Sequence, residues 1–443
     1  MLLFSTISTT EMVQNARMSP EPASIVRQRA DELSGGATEV KGPLKGYHHE
    51  TYVFQLPGKE VRVKCREPRD GLLWFDRRCF QSEEQLLGAL RGHVEHIPDV
   101  YDVGGVDLQR FIEGRTLGAG YGSGRPVPPE IFEQIVELFQ DMLHVPPAKL
   151  GAVGRRCRPE DRPENGDSAG FLERLIHFTE HSVYEENLGG FGELFWSLGV
   201  NGDAFKRLRE KASGLRSRPF SLLHADLHRE NFIIDRSRRL WAIDWELAMV
   251  GDPLYDLATH LYLMRYPQRQ EQRMKEQWCR LVEEIHPGSS RDHEQDLAVI
   301  LEYKKAQSVF TDVIRNSLPL RGDKGLVWEH VPRAAWRIQK VLLAAADPLG
   351  LPLPPSMRQI VTALVQWHRG PKAHIPTGAD RPGADSGGIT PSVPPFPPTP
   401  APQWPHELLP HVAAGTPRRS PAAAGPPQPP HTHGTSGVAA RRE

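Results

Sequence analysis

Leu222-Leu223-His224-Ala225-Asp226-Leu227-His228-Arg229-Glu230-Asn231-Phe232-Ile233-Ile234-Asp235 is followed by Leu240-Trp241-Ala242-Ile243-Asp244-Trp245-Glu246. The apolar runs Phe220–Leu223, Asn231–Ile234 and Leu240–Ile243 have strand character, and Arg236–Arg239 is a polar turn between the last two. They predict a small β island with an acid, Asp226, in the first connection. An amide, Asn231, follows five residues later, and a second acid, Asp244, stands at a strand end.

Outside the island the spacing is helical on the C-terminal side. Ile131, Ile135, Val136, Phe139, Met142 and Leu143 fall on one stripe; so do Phe171, Leu175 and Phe178, and later Leu297, Ile300, Leu301 and Val309. Before Gly114 the pattern is mixed. Thr51–Leu56 and Glu60–Cys65 read as strands around a Pro57-Gly58 turn, which predicts a hairpin. Ser82 and Gln85 fit a capping box, with Leu86, Leu87 and Leu90 on one helical face. Tyr101–Ile112 returns to strand-like spacing. The expected fold class is α+β in two lobes, a β-rich N-lobe over 23–113 and a helical C-lobe over 114–370. Residues 1–22 are expected to be an unstructured extension, with Met18 as an alternative start. Residues 371–443 hold 18 of the chain's 41 prolines. Proline fixes φ and lacks an amide donor, so this stretch predicts a disordered tail; a partner for it is not evident.

Composition narrows the function classes. The chain has 443 residues with 54 Lys+Arg against 55 Asp+Glu, so no overall positive field draws it to nucleic acid and no polybasic run to a membrane. No run approaches a membrane span, and the short apolar start lacks the basic flank of a signal peptide. Cys65, Cys79, Cys157 and Cys279 lie far apart without metal-ligand spacing, which predicts free thiols in a reducing, cytoplasmic setting.

The acid–amide–acid constellation suits phosphoryl transfer. That reaction develops much charge and asks little covalent chemistry of the protein. A carboxylate must orient the attacking hydroxyl, and oxygen ligands must hold a Mg²⁺ ion on the nucleotide phosphates. Asp226 fits the first need, Asn231 and Asp244 the second.

His224-x-Asp226-x-x-x-x-Asn231 resembles the catalytic loop of the aminoglycoside phosphotransferase and choline kinase superfamily, which has a protein-kinase-like fold. Ile243-Asp244-Trp245-Glu246 resembles its metal-binding segment, and Gly251-Asp252-Pro253-Leu254-Tyr255-Asp256-Leu257-Ala258 its Gly-Asp-Pro-x-x-Asp-Leu-Ala motif, which packs the loop. The resemblance runs in order over residues 24–345. It implies that Asp226 is catalytic and that Asn231 and Asp244 bind Mg²⁺. It makes Lys64 the strand lysine on the α/β phosphates, paired with Glu83, for which Glu84 is a rival. It further implies a hinge near Arg110 to Ile112 whose main chain binds adenine, and phosphate contact at Gly46. Arg110 departs from the family, where an acid is common. Asp252 and Asp256 are expected to be structural and His224 a brace; His48, His49 and His228 have no assigned role. The polar stretch with Arg155, Arg156 and 159–167 reads as a solvated insertion.

The implied activity is a kinase using ATP, with GTP as the alternative donor, on a hydroxyl of a small molecule held near 160–200 and 297–320. A cationic, aminoglycoside-like acceptor would need acids, for which Glu173, Glu302 and Asp312 are candidates. The alternatives are a kinase of Ser/Thr in a precursor peptide, and a non-catalytic pseudokinase module.

Overall fold

The computed structural model describes residues 24–36, 39–44, 49–69, 75, 77–322 and 324–370. All lie in a compact unit, Met1–Asp385; a second unit, Ser386–Glu443, lies wholly outside the described residues. The expectations for residues 1–22, for the proline-rich tail and for Gly46 and His48 fall outside them too.

The N-lobe is built on a four-stranded antiparallel sheet in the order β1 (His49–Gln55), β2 (Arg62–Pro68), β4 (Val106–Arg110), β3 (Val100–Val103). The predicted hairpin is β1–β2, with Gly58 at φ +72°, a conformation that favours glycine. Strand alternation gives β2 two unlike faces. Val63 and Cys65 join Tyr52, Phe54 and Leu108 in a small core under helix α1 (Ile25–Leu33). Lys64 and Arg66 therefore share the opposite face. Helix α2 (Glu83–Leu90) begins at Ser82, whose hydroxyl accepts the Gln85 amide. The box is one-sided: the Ser82 hydroxyl turns to the Glu84 carboxylate at 2.9 Å. Leu86, Leu87 and Leu90 pack into the large core of the C-lobe, so α2 spans both lobes.

The C-lobe core is helical. Helix Pro129–His144 buries the predicted stripe, and helices Ser168–Phe178, Pro253–Met264 and His293–Ser317 surround the β island. Ser168–Phe178 runs on into a wider π turn, Thr179–Tyr184, which the apolar spacing did not foretell. The island is two small sheets. Strand β5 (Arg115–Thr116) precedes β6 (Ser221–Leu223), β7 (Phe232–Ile234), β8 (Leu240–Ala242) and β9 (Met249–Gly251). One sheet has the order β5-β7-β8; β6 pairs with β9 in the other. Two glycines permit close approach. A Cβ at Gly114 would lie 2.3 Å from the Ile234 carbonyl oxygen, and one at Gly251 2.1 Å from the Phe171 ring. Among the described residues no helix is long and apolar enough to cross a membrane.

Candidate active site

The segment after β6 turns sharply because Ala225 adopts φ +64°, a left-handed conformation that costs a non-glycine residue of order 1–2 kcal/mol. Asp256 holds it there. Its Oδ1 accepts the Ala225 amide at 2.7 Å and its Oδ2 the His224 amide at 3.0 Å. Asp256 is positioned by helix Pro253–Met264, which Asp252 caps by accepting the Leu254 amide and which Pro253 opens without wasting a donor. Arg218, fully buried, bonds Asp252 and Asp296 beneath this helix start. The Gly-Asp-Pro motif thus serves to fix the loop.

Other contacts pin the remainder. His224 is buried with Nε2 at 3.1 Å from the Ile243 carbonyl, and burial lowers its pKa, so the ring is neutral and donates to that carbonyl. His260 Nδ1 donates to the Leu227 carbonyl at 3.0 Å. The Arg229 guanidinium donates to the carbonyls of Met264, Tyr121 and Arg125 at 3.0, 2.8 and 2.9 Å. A lysine could not span that set, because only the planar fork presents several donors at fixed angles.

Asp226 emerges from this frame at the wall of a cavity. Asn231 Nδ2 donates to both its carbonyl and its Oδ2 at 3.0 Å, which closes the loop on itself. His228 Nδ1 accepts the Glu230 amide, which leaves Nε2–H facing Asp226 Oδ2 at 3.4 Å. Burial pushes the Asp226 carboxyl up, but the His228 hydrogen bond and the Lys304 field outweigh it and hold the pKa below its ordinary value. Asp226 is therefore a carboxylate near neutral pH, able to accept a hydrogen bond from a hydroxyl.

Asp244 comes to Asn231 through sheet register. Phe232 pairs with Ala242, and the Ile243 amide donates to the Asn231 carbonyl at 2.9 Å, so the residues flanking the two strands meet. Because Nδ2 is used on Asp226, Asn231 Oδ1 is left with no partner among the described residues. Asp244 sits at φ +67°, and an oxygen of its carboxylate lies within 4.8 Å of oxygens of Glu83 and Glu246. Burial, and then the Glu83 charge, push the Asp244 pKa up. Converging carboxylates repel, and an all-oxygen set of this kind fits a hard divalent cation such as Mg²⁺.

Glu83 departs from the expected pairing. Its ion pair is with Arg66, not Lys64. Both cations share a face of β2, but the longer guanidinium forks between Glu83 and Glu246, and also approaches Glu84 at 3.4 Å. Burial works against the Arg66 charge, yet Glu83 and Glu246 more than offset it and raise its pKa. Glu83 in turn is held down to about 2 against burial by Arg66 and Lys64, and its Oε1 accepts the Trp245 amide at 2.8 Å. This contact ties α2 to the residue after Asp244. Lys64 makes no ion pair among the described residues; burial and the Arg66 charge lower its pKa against the pull of Glu83, Asp244 and Glu246. Glu246 also bonds Arg78 and, at 3.2 Å, His49. A cavity of about 280 Å³ opens between β2 and α2, lined by Lys64, Arg66, Glu83 and Glu246 among others.

In the segment expected to be the hinge, the Arg110 amide donates to the Asp99 carbonyl and the Phe111 amide to the Arg62 carbonyl, at 2.7 and 2.8 Å. The Ile112 amide has no partner among the described residues. The Arg110 side chain pairs with Asp99 at 3.4 Å and lies over Trp241.

The cavity holding Asp226 is about 230 Å³, walled by Leu175, Phe178 and the Tyr303–Arg315 side of helix His293–Ser317. Of the three acids expected for a cationic acceptor, only Asp312 lines it. Glu173 pairs with Arg209 at 2.8 Å and Glu302 with Lys211 at 2.5 Å, outside the cavity, because both helix faces carry facing cations. Sequence reasoning missed Arg66, Glu246, His228 and Lys304. The two-residue spacing of Lys64 and Arg66 would have found the first; Lys304 has no local signature.

A model described as the phosphotransferase enzyme family matches residues 39–291, more than half of the chain. The chain belongs to that family, the one its loop motifs resemble. No curated protein matches the sequence. Among solved structures, a thermostable mutant of aminoglycoside phosphotransferase APH(4)-Ia in complex with ADP and hygromycin B is similar over 79 % of this chain and 100 % of its own, at 16 % identity and TM-score 0.43. Choline kinase LicA from Streptococcus pneumoniae is similar over 73 % and 100 %, at 18 % identity and TM-score 0.44. Macrolide 2'-phosphotransferase MphH from Brachybacterium faecium is similar over 75 % and 99 %, at 14 % identity and TM-score 0.43.

Proposed function

We propose that the protein transfers the γ-phosphoryl group of ATP to a hydroxyl of a small molecule, with GTP as the alternative donor. The observation that carries this reading is the Asp226–Asn231–Asp244 juxtaposition. An ionised, partly exposed carboxylate at a cavity wall is hydrogen-bonded to an amide whose free oxygen sits one strand pair from a second carboxylate.

In this reading the acceptor hydroxyl donates to Asp226. As its oxygen attacks the γ-phosphorus, its proton passes to the Asp226 carboxylate. The bond from the γ-phosphorus to the bridging oxygen breaks, and ADP leaves with the electron pair. Lys64 contacts the α/β phosphates, and Arg66 keeps Glu83 from closing on it. Asn231 Oδ1 and Asp244, with Glu83 and Glu246 behind them, are suited to Mg²⁺, whose chemistry when bound is to neutralise phosphate charge. The Ile112 amide is suited to adenine, beside Arg110; Gly46 is assigned to the phosphates from sequence alone. The division of labour follows the lobes, nucleotide over 23–113 and acceptor over 114–370. Free thiols at Cys65, Cys79, Cys157 and Cys279 support a reducing, cytoplasmic setting.

The test is a thermal unfolding series with ATP, GTP and neither, each with and without Mg²⁺. A ligand that binds only the folded state raises Tm. A rise that requires Mg²⁺ is expected; no rise with either nucleotide overturns the reading.

A further inference from the structure

We infer that the acceptor carries an anionic group, a carboxylate or a phosphate, and that Lys304 and Arg77 bind it inside the Asp226 cavity. This rests on the phosphotransferase reading and adds the substrate class.

The lining of that cavity is unequal in charge. Arg77, Arg265, Lys304 and Arg315 stand against Asp226 and Asp312. Asp226 is engaged by Asn231 and His228, so four cationic side chains face two acids, one of them already occupied. A polycationic acceptor would meet like charges here, and the acids suited to receive it, Glu173 and Glu302, are already paired elsewhere.

Lys304 is the sharpest feature. It is only 9 % exposed, on the helix that forms the far wall. Its Nζ finds a neutral partner, the Tyr255 hydroxyl at 3.2 Å, and lies 5.1 Å over the Tyr255 ring. Among the described residues it makes no ion pair. Its field reaches Asp226 and Asp256, but Asp256 spends both oxygens on loop amides. A buried ammonium with no carboxylate in contact keeps part of its desolvation cost, and an anionic ligand bound against it in the cavity would lower that cost.

Arg77 supplies the second contact. Its Nη2 donates to the Asp161 carbonyl at 3.0 Å, and among the described residues it has no carboxylate partner. It also lines the adjoining cavity with Arg156, Arg174 and His177, where Asp161 is the one acid among the lining residues. This neighbouring cavity, which shares Arg77 and Phe178 with the first, is therefore basic as well, which would draw an anion toward Arg77.

The experiment titrates the full chain, without nucleotide, with four hydroxyl probes: gluconate, glycerol 3-phosphate, glycerol and choline. Wild type, Lys304→Gln and Arg77→Gln are compared, with near-UV circular dichroism confirming the fold of each. At least one anion is expected to bind, with Kd weakened about tenfold in each variant, while glycerol and choline do not bind. Whichever anion responds separates the carboxylate source from the phosphate source. The inference is overturned if neither anion binds, if choline binds more tightly than both, if both variants bind as wild type does, or if saturating MgADP displaces the anion, which would assign it to the nucleotide phosphate site. Because the titration reads no turnover, it fails separately from the kinase reading. Phosphoryl transfer to neutral or cationic hydroxyl compounds alone would sink this inference and leave that reading standing.

Discussion

Asp256 Oδ1 accepts the Ala225 amide at 2.7 Å, one residue before Asp226, where the backbone turns at φ +64°. The carboxylate serves two consecutive amides, so its removal leaves both buried and unpaired. Asp256→Ala is expected to lower unfolding free energy by about 2–4 kcal/mol and to depress kcat. Asp256→Asn, which keeps one acceptor oxygen, should lie between it and wild type. Urea denaturation checks the order; equal midpoints for all three would contradict the brace.

Arg66 and Lys64 should separate stability from nucleotide binding. Arg66 pairs with Glu83 and Glu246 together, so Arg66→Met strands the buried Glu83 carboxylate and leaves Glu246 to Arg78 and His49, which should cost about 2–4 kcal/mol. Lys64→Met removes a cation with no ion pair, and should weaken ATP binding with a smaller loss of stability. Denaturant midpoints and ATP titrations of both variants measure this. A larger stability loss for Lys64→Met would restore the lysine as the partner of Glu83.

Acid should destabilise the fold through buried neutral histidines. Burial holds His260 down to about 3, and His224 is lowered by the same cause. An unfolded histidine titrates near its ordinary value, so below about pH 6.5 the unfolded chain binds more protons than the folded one. Stability then falls as pH drops, for His260 by about 1.4 kcal/mol per pH unit once well below that value and above about 3, and His224 adds to the fall in the same direction. His260→Gln should flatten the dependence between pH 6 and pH 4.5 by about one proton. Urea midpoints across that range would show it; an unchanged slope would contradict the assignment.

Gly251 depends on space. A Cβ there would press on Phe171, which packs edge-on against Tyr255 with ring centroids 5.5 Å apart. Gly251→Ala is expected to cost about 1–3 kcal/mol, and Phe171→Leu in the same chain to recover part of it. Additive losses in the double variant would mean that the two sites do not touch.

What the sequence revealed and what it hid have physical causes. The β1–β2 hairpin, the start of α2 at Ser82 and the strands around Asp226 were legible because turn chemistry, caps and alternation act over a few residues. The Asp226-to-Asn231 spacing was legible because one tight loop sets it, and the Gly251–Ala258 motif because it caps one helix. The choice between Lys64 and Arg66 for Glu83 was hidden, since side-chain reach across two elements decides it. So was Lys304, which meets Asp226 only through the packing of helices Pro253–Met264 and His293–Ser317. Glu173 and Glu302 misled for the same reason: their spacing gave the helix face, and the facing Arg209 and Lys211 decided what that face does.

The most direct test of the central claim is Asp226→Ala, assayed for transfer of labelled γ-phosphate from MgATP to hydroxyl acceptors alongside MgATP binding. The account predicts that transfer falls by about 10²–10⁴-fold or more while nucleotide affinity stays within about threefold. Transfer at the wild-type rate in that variant would contradict it.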